Sequence, residues 1–245
     1  MPINREALIA QMSGLSDQEL EALANIIEAL TAPISADWTG PGWLPLAWEA
    51  RFRSALRIHH AINANPLGRE AFEDAFNTTC ESLGWRVYPA KSATNRFYDT
   101  VVDNGVIRRL SLKATAAQRM REDVVHISKL TEAAWIQDAR RKADRHRKLL
   151  SVFAEYRDTT DAIVLLRAMQ HSGATRYQLL EISTELFASV PDLTAEQSQA
   201  GTIPLPPGSS TPVLKIRLDR SDAKITLTDI RLSACTVHGT WEITT

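Results

Sequence analysis

Between Arg96 and Lys113 the chain reads RFYDTVVDNGVIRRLSLK. Two runs rich in strand-forming residues, 97–102 and 106–113, lie on either side of Asp103-Asn104-Gly105. Strand-forming runs that flank an Asn-Gly step predict a β-hairpin. We therefore expect two adjacent antiparallel strands in this stretch.

The length of the hairpin loop determines which side chains share a face. A two-residue Asn104-Gly105 turn would pair position 99 with 110, and Asp99 would point away from Ser111 and Lys113. A three-residue loop of 103–105, with its glycine in the left-handed conformation, would pair position 99 with 109 and put the three side chains on one face. The sequence leaves both registers open.

The segments around the hairpin complete an α/β unit. Residues 66–83 have helical apolar spacing, and Gly84 follows them as a helix-ending glycine. A short strand at 85–88 precedes the hairpin, and a helix at 128–156 and a mostly apolar strand at 162–169 follow it. The expected core consists of Phe72, Phe76, Leu110, Leu112, Ile163, Val164 and Leu165.

The flanking regions add helices before this unit and strands after it. Residues 16–31 begin with a capping-box pattern and continue as an amphipathic helix. A Pro- and Gly-rich loop occupies 201–212. Further strands are expected at 177–182, 213–218, 223–230 and 239–244. The predicted organisation is an N-terminal helical region (1–60), an α/β core (61–195) and a Pro-rich loop with a C-terminal β extension (196–245), packed as one unit.

Composition and charge limit the classes of function. The chain has 245 residues, 44% hydrophobic and 23% charged, which excludes a disordered or fibrous protein. Residues 85–150 carry 15 basic and 7 acidic side chains, whereas residues 1–50 carry 1 and 7. A locally basic region favours a polyanionic partner. No membrane span or signal-peptide pattern is present, so we expect a cytoplasmic protein with no membrane partner.

Several common kinds of catalytic site have no support in the sequence. There is no Gly-x-Ser-x-Gly elbow, no His-Glu-x-x-His pair and no phosphate-binding glycine loop. Cys80 and Cys235 belong to no Cys/His cluster, so a structural zinc site is not expected and a reducing compartment fits best. Serine hydrolases, zinc proteases and nucleotide-driven enzymes are therefore disfavoured.

Four residues resemble a known nuclease motif. Glu73 lies on the first helix of the unit, Asp99 ends Arg96-Phe-Tyr-Asp99, and Ser111-Leu-Lys113 lies on the third strand. With this order of elements, residues 66–169 resemble the PD-(D/E)xK restriction-endonuclease-like superfamily. The resemblance implies an α/β fold with a central mixed β-sheet flanked by helices. It also implies that Asp99 and a second acid hold Mg²⁺ and that Lys113 assists the attacking water.

The sequence departs from the family pattern at two positions. Tyr98 replaces the proline before the aspartate, and Ser111 stands where an aspartate or glutamate is expected. The missing carboxylate would come from Glu73 on the preceding helix or from Glu132 on the following one. We favour Glu73 and leave Glu132 open. Ser111 would then contribute a hydroxyl or a water contact to the metal site.

The basic region at 85–150 and the resemblance together predict double-stranded DNA as the partner. The charge run 140–148 fits either a solvated helix face or a phosphate-contacting one. The candidate DNA-contacting residues are Arg119, Arg121, Lys129, Arg140, Arg141, Lys215 and Arg217.

The expected function is that of a Mg²⁺-dependent, sequence-specific type II restriction endonuclease. Two-fold symmetric targets favour a homodimer, and the host would need a cognate DNA methyltransferase. Two alternatives stay open: a structure-selective repair or recombination nuclease of the same fold, and a catalytically silent DNA-binding protein.

Overall fold

The computed structural model describes residues 4–40, 42–90, 97–118, 121–139, 141–171 and 173–244. The helices are α1 (Arg5–Met12), α2 (Asp17–Thr31), α3 (Leu46–Ile62), α4 (Arg69–Ser82), α5 (Trp135–Asp138) and α6 (Lys142–Thr159). The strands are β1 (Ser35–Trp38), β2 (Arg86–Pro89), β3 (Thr100–Asp103), β4 (Ile107–Ala117), β5 (Val124–Glu132), β6 (Ala162–His171), β7 (Ala174–Ser183), β8 (Thr202–Leu205), β9 (Leu214–Asp219), β10 (Lys224–Arg231) and β11 (Thr236–Thr244). Within these ranges, no helix combines the length and the apolar character that a membrane crossing needs.

A mixed sheet of seven strands forms the centre of the fold, in the order β1-β11-β7-β6-β4-β3-β2. Strands β4 and β6 are parallel, and the other neighbours in this sheet are antiparallel. A second, antiparallel sheet has the order β5-β10-β9-β8. The predicted α/β core, with a central mixed sheet and flanking helices, is confirmed. The C-terminal strand β11 belongs to the central sheet, where it pairs with β1 and β7.

Two hydrophobic cores cover the faces of the central sheet. One core lies between this sheet and helices α3 and α4, and the other joins the opposite face to α6 and the second sheet. Strand β6 is buried along residues 162–169, as expected for a strand covered on both faces. The seven core residues expected from the sequence are each at most 1% exposed.

The predicted helix at 128–156 is wrong in its first part. Residues 124–132 form strand β5, and the long helix α6 begins only at Lys142. The reason is visible in the side chains: Val125 and Ile127 are buried, whereas His126 and Ser128 are exposed. This alternation has the period of a strand, and the β-branched residues favour it.

The hairpin loop has three residues, but it begins at residue 104 and not at residue 103. Strands β3 and β4 pair Asp103 with Ile107, so residues 104–106 form the loop. Gly105 has φ +100°, which glycine adopts without steric cost, and its N–H donates to the Asp103 carboxylate at 2.9 Å. Asp103 is therefore the last strand residue, with a side chain that closes the turn.

This register decides the orientation of the candidate catalytic residues. Thr100 pairs with Leu110, so position 99 lies next to 111 rather than 109 or 110. A shift of two positions from the expected pairing preserves the alternation of faces. The two-residue turn, which would have separated Asp99 from Ser111 and Lys113, is excluded.

Candidate active site

Asp99 lies just before β3, where the chain turns sharply. The predicted strand 97–102 begins only at Thr100, because Phe97 has φ +91°, a left-handed conformation that strains a non-glycine residue. The Phe97 ring is buried and packs against Tyr156 with ring centroids 5.1 Å apart. Asp99 then donates its N–H to Leu110 O at 2.8 Å, and its carbonyl accepts from Ala90 N at 2.9 Å. Backbone contacts on both sides thus hold this aspartate in place.

One oxygen of the Asp99 carboxylate accepts three hydrogen bonds from β4. The donors to Oδ2 are Leu112 N at 2.7 Å, Lys113 Nζ at 2.9 Å and Ser111 Oγ at 3.3 Å. The side chains of Asp99 and Lys113 are only 16% and 14% exposed. The structure therefore brings together the aspartate, serine and lysine of the motif.

The second oxygen of Asp99 connects the strands to helix α4. Asp99 Oδ1 accepts from Arg69 Nη2 at 2.9 Å, and Arg69 Nε donates to Glu73 Oε1 at 2.6 Å. A single guanidinium thus joins the two carboxylates. Glu73 is four residues after Arg69 on α4, so the two side chains project from the same helix face.

The surroundings tune the charged states of the site. Burial lowers the pKa of Lys113, and the adjacent Asp99 carboxylate opposes this shift. The hydrogen bond to Glu73 raises the pKa of Arg69, so the guanidinium stays charged. Burial, reinforced by the Asp99 charge, raises the pKa of Tyr156, so this phenol stays neutral. Tyr156 thus lies close to Ser111 and Asp99, and its ring packs against Phe97.

The donor set fits a hard divalent cation. Asp99 and Glu73 offer carboxylate oxygens, which Mg²⁺ prefers, and a positive group already lies between them. Mg²⁺ retains several waters and needs only one or two carboxylates. Within the described part of the chain, no cluster of three or more His, Cys, Asp or Glu side chains has metal-binding geometry. This site would therefore be a sparse one.

Glu132 does not lie on the helix where the sequence analysis placed it. It lies at the end of β5 in the second sheet rather than on a helix. Its side chain is 80% exposed and forms an ion pair with Lys129 at 2.8 Å. Glu73, in contrast, shares the Arg69 guanidinium with Asp99.

The predicted DNA-contacting residues are only partly brought together. Arg119 and Arg140 fall outside the described residues. Arg121 and Lys215 lie on either side of the Asp229 carboxylate, at 3.8 Å and 2.8 Å. Arg217 is two positions after Lys215 on β9, and so projects from the same face of that strand. We call Arg121, Lys215 and Arg217 the basic patch.

The two other candidates lie apart from this patch. Lys129 is paired with Glu132, and Arg141 is exposed immediately before α6. A hydrogen bond of 2.6 Å from the buried Arg167 on β6 to Arg121 O connects the basic patch to the central sheet. The patch is thereby attached to the sheet that carries Lys113.

Arg69 is a residue of the site that the motif did not indicate. Its spacing of four from Glu73 was readable as a helical ion pair. Its second partner, Asp99, is 30 positions away in sequence, and only the fold brings the two together. Tyr156 was also missed, because a tyrosine late in a helix does not differ in sequence from an ordinary core residue.

Comparison with known proteins gives one family match and one curated relative. The family model SmaI, described as type II site-specific deoxyribonuclease, matches residues 8–243. The type II restriction enzyme SmaI from Serratia marcescens is 26% identical over 203 residues, which cover 78% of this chain and 77% of the relative. Both findings favour a sequence-specific restriction enzyme over a repair nuclease or a silent DNA-binding protein. The match spans nearly the whole length, and the chain belongs to the SmaI family of type II site-specific deoxyribonucleases.

Proposed function

We propose that this restriction endonuclease hydrolyses phosphodiester bonds of double-stranded DNA with Mg²⁺ held by Asp99 and Glu73. The observation that carries the proposal is the convergence of Ser111 and Lys113 on one carboxylate oxygen of Asp99, with Glu73 linked to Asp99 through Arg69. Family membership already makes the enzyme a DNA-cleaving hydrolase. The proposal adds the residues and the cofactor.

Each residue of the site has a distinct role. When bound, Mg²⁺ supplies Lewis acidity and eases deprotonation of the attacking water. Asp99 and Glu73 present carboxylate oxygens to it. Lys113 holds a positive charge 2.9 Å from Asp99 Oδ2, where it orients the water and offsets charge that develops on the phosphate.

Ser111 supports this arrangement without carrying charge. Its hydroxyl donates to Asp99 Oδ2 at 3.3 Å, and its side chain is buried. We assign it to orienting the Asp99 carboxylate or a water, and we assign the second acidic ligand to Glu73. The ion pair with Lys129 and the position in the second sheet argue against Glu132 in that role.

The basic patch is the proposed contact surface for the DNA backbone. Arg121 and Arg217 are exposed, and Lys215 has 37% of its side chain exposed. Their positive charges are suited to phosphate contacts. Asp229, which accepts from Lys215 at 2.8 Å, keeps this lysine oriented.

Cleavage of both DNA strands is the basis for proposing a homodimer. The described residues of one chain contain one Asp99–Lys113 site, and two copies would provide one site for each strand. Helices α1 and α2 have no fully buried residues and expose Leu8, Ile9 and Ile27, so they are the proposed surface for the second copy. A protein of this type acts on DNA in the cytoplasm, and a cognate methyltransferase would protect the host DNA.

A cleavage assay tests the proposal. Mixed-sequence plasmid DNA is incubated with the purified chain and Mg²⁺, with EDTA, or with the Asp99→Asn variant. We expect discrete fragments only for the first mixture, and retained DNA binding by Asp99→Asn. Equal fragmentation in EDTA would contradict the metal assignment. Equal fragmentation by Asp99→Asn would contradict the site.

A further inference from the structure

The two acids proposed to hold Mg²⁺ already share a cation that belongs to the protein. Arg69 Nε lies 2.6 Å from Glu73 Oε1, and Arg69 Nη2 lies 2.9 Å from Asp99 Oδ1. The guanidinium therefore neutralises two neighbouring carboxylates. It also occupies one oxygen of each carboxylate, and these two oxygens are then not free for a divalent cation.

We propose that Arg69 is a charge placeholder, which binds Glu73 and Asp99 in the free enzyme and gives way when a divalent cation enters. This inference rests on the proposed metal site. Its consequence is that Arg69 weakens metal binding to the free enzyme. It is a positioning residue that acts through the two carboxylates.

Repulsion between the two cations disfavours their binding at the same time. A guanidinium and a divalent ion bound to the same pair of carboxylates would repel strongly at such short separations. Lys113 is held differently, because its ammonium lies on Asp99 Oδ2 and its side chain is 14% exposed. Arg69 contacts the other carboxylate oxygen, Oδ1.

The Arg69 side chain can move away from the two carboxylates. Its side chain is 55% exposed, and it is the first residue of α4, directly after Gly68. Movement of its long side chain into solvent would not open a core, because Arg69 belongs to neither hydrophobic cluster. Arginine also binds phosphate well, so the displaced side chain remains useful next to DNA.

Metal binding without DNA provides the test. Mn²⁺, which accepts the same oxygen ligands, is titrated into the full-length protein, and the free ion is measured by electron paramagnetic resonance. Two exposed ion pairs are lost in Arg69→Gln, so we expect Mn²⁺ to bind about 2- to 30-fold more tightly than to wild type. Arg69→Lys keeps the charge, so its gain in Mn²⁺ affinity should be clearly smaller than that of Arg69→Gln.

Arg86→Gln is the matched control. This variant also removes an exposed arginine from an ion pair with an aspartate, Asp103 on β3. Arg86 contacts neither Asp99 nor Glu73 in that ion pair. We expect no change in its Mn²⁺ affinity. Thermal unfolding of all variants shows that each one is folded.

The outcomes distinguish the placeholder role of Arg69 from the proposed metal site. Unchanged or weaker Mn²⁺ binding by Arg69→Gln would overturn the placeholder role, as would an equal gain in Arg69→Lys or Arg86→Gln. Asp99→Asn is measured in parallel and should lose Mn²⁺ binding. If Asp99→Asn binds Mn²⁺ like wild type, the proposed metal site itself is wrong, whatever Arg69→Gln does.

Discussion

Replacing Lys113 by methionine should remove cleavage activity while leaving the protein folded. Methionine retains an unbranched apolar side chain and deletes the ammonium that lies 2.9 Å from Asp99 Oδ2. A single preorganised group of this kind is worth about 10²–10³-fold in rate, or about 2.7–4 kcal/mol of transition-state stabilisation. We therefore expect the rate of the cleavage step to fall by at least that factor.

The same structure predicts a small effect on stability. The Lys113 ammonium is largely buried, so its removal also removes a desolvation cost, and the free energy of unfolding should fall by less than the about 3–5 kcal/mol that is lost when a buried charge is left unpaired. Asp99 keeps its hydrogen bonds from Leu112 N and Arg69, so its carboxylate is not left without a partner.

Single-turnover cleavage of plasmid DNA, with enzyme in excess, measures the rate without product release. Urea unfolding measures the stability. Lys224→Met is the control, because Lys224 also forms ion pairs with aspartates but lies at the start of β10. It should cleave like wild type. Cleavage by Lys113→Met within about threefold of wild type would refute the reasoning, because the expected loss is far larger.

Three further outcomes are expected. Glu73→Gln should raise the Mg²⁺ concentration for half-maximal cleavage by about tenfold or more, because a charged ligand is lost. Glu132→Gln should not raise it. Equal shifts of the two variants in a Mg²⁺ titration would contradict the assignment of Glu73 as the second ligand. Lys215→Ala should weaken DNA binding at all sequences and reduce the salt slope by about 1 in an anisotropy titration; a loss confined to one sequence would instead indicate base readout. Burial lowers the pKa of His60 to about 4, so the unfolded state binds more protons between pH 6.5 and 4, and stability should fall by about 1 kcal/mol as the pH drops through this window. Urea unfolding at several pH values should show a smaller fall for His60→Asn, and an identical fall would contradict this assignment.

The sequence predicted the core of the fold because its patterns are local. The helix before Gly84 and the apolar strand at 162–169 follow from helical spacing and continuous hydrophobicity, and both are present. The hairpin was also expected, but its register was not, because two loop lengths fit the same Asp-Asn-Gly triplet. In the observed loop, the Asp103 carboxylate accepts a hydrogen bond from Gly105 N.

The features that the sequence did not predict depend on tertiary context or on contacts between residues far apart in the chain. The predicted helix at 128–132 is wrong because the alternation of β5 breaks after Ile127: Ser128 and Lys129 are both exposed, and Leu130 and Thr131 are both buried. Arg69 was missed because its contact with Asp99 joins the first turn of α4 to the approach to β3. A single sequence contains no local pattern for such a contact.

The most direct test of the central claim is to locate the metal. Crystals of the enzyme with double-stranded DNA and Mn²⁺ give an anomalous peak at each bound ion. We predict a peak bound by the Asp99 carboxylate and by Glu73, with Lys113 next to the phosphate and Arg69 withdrawn from between the acids. A peak bound by Glu132 and not by Asp99, or well-ordered DNA at the site with no peak at Asp99, would contradict the account.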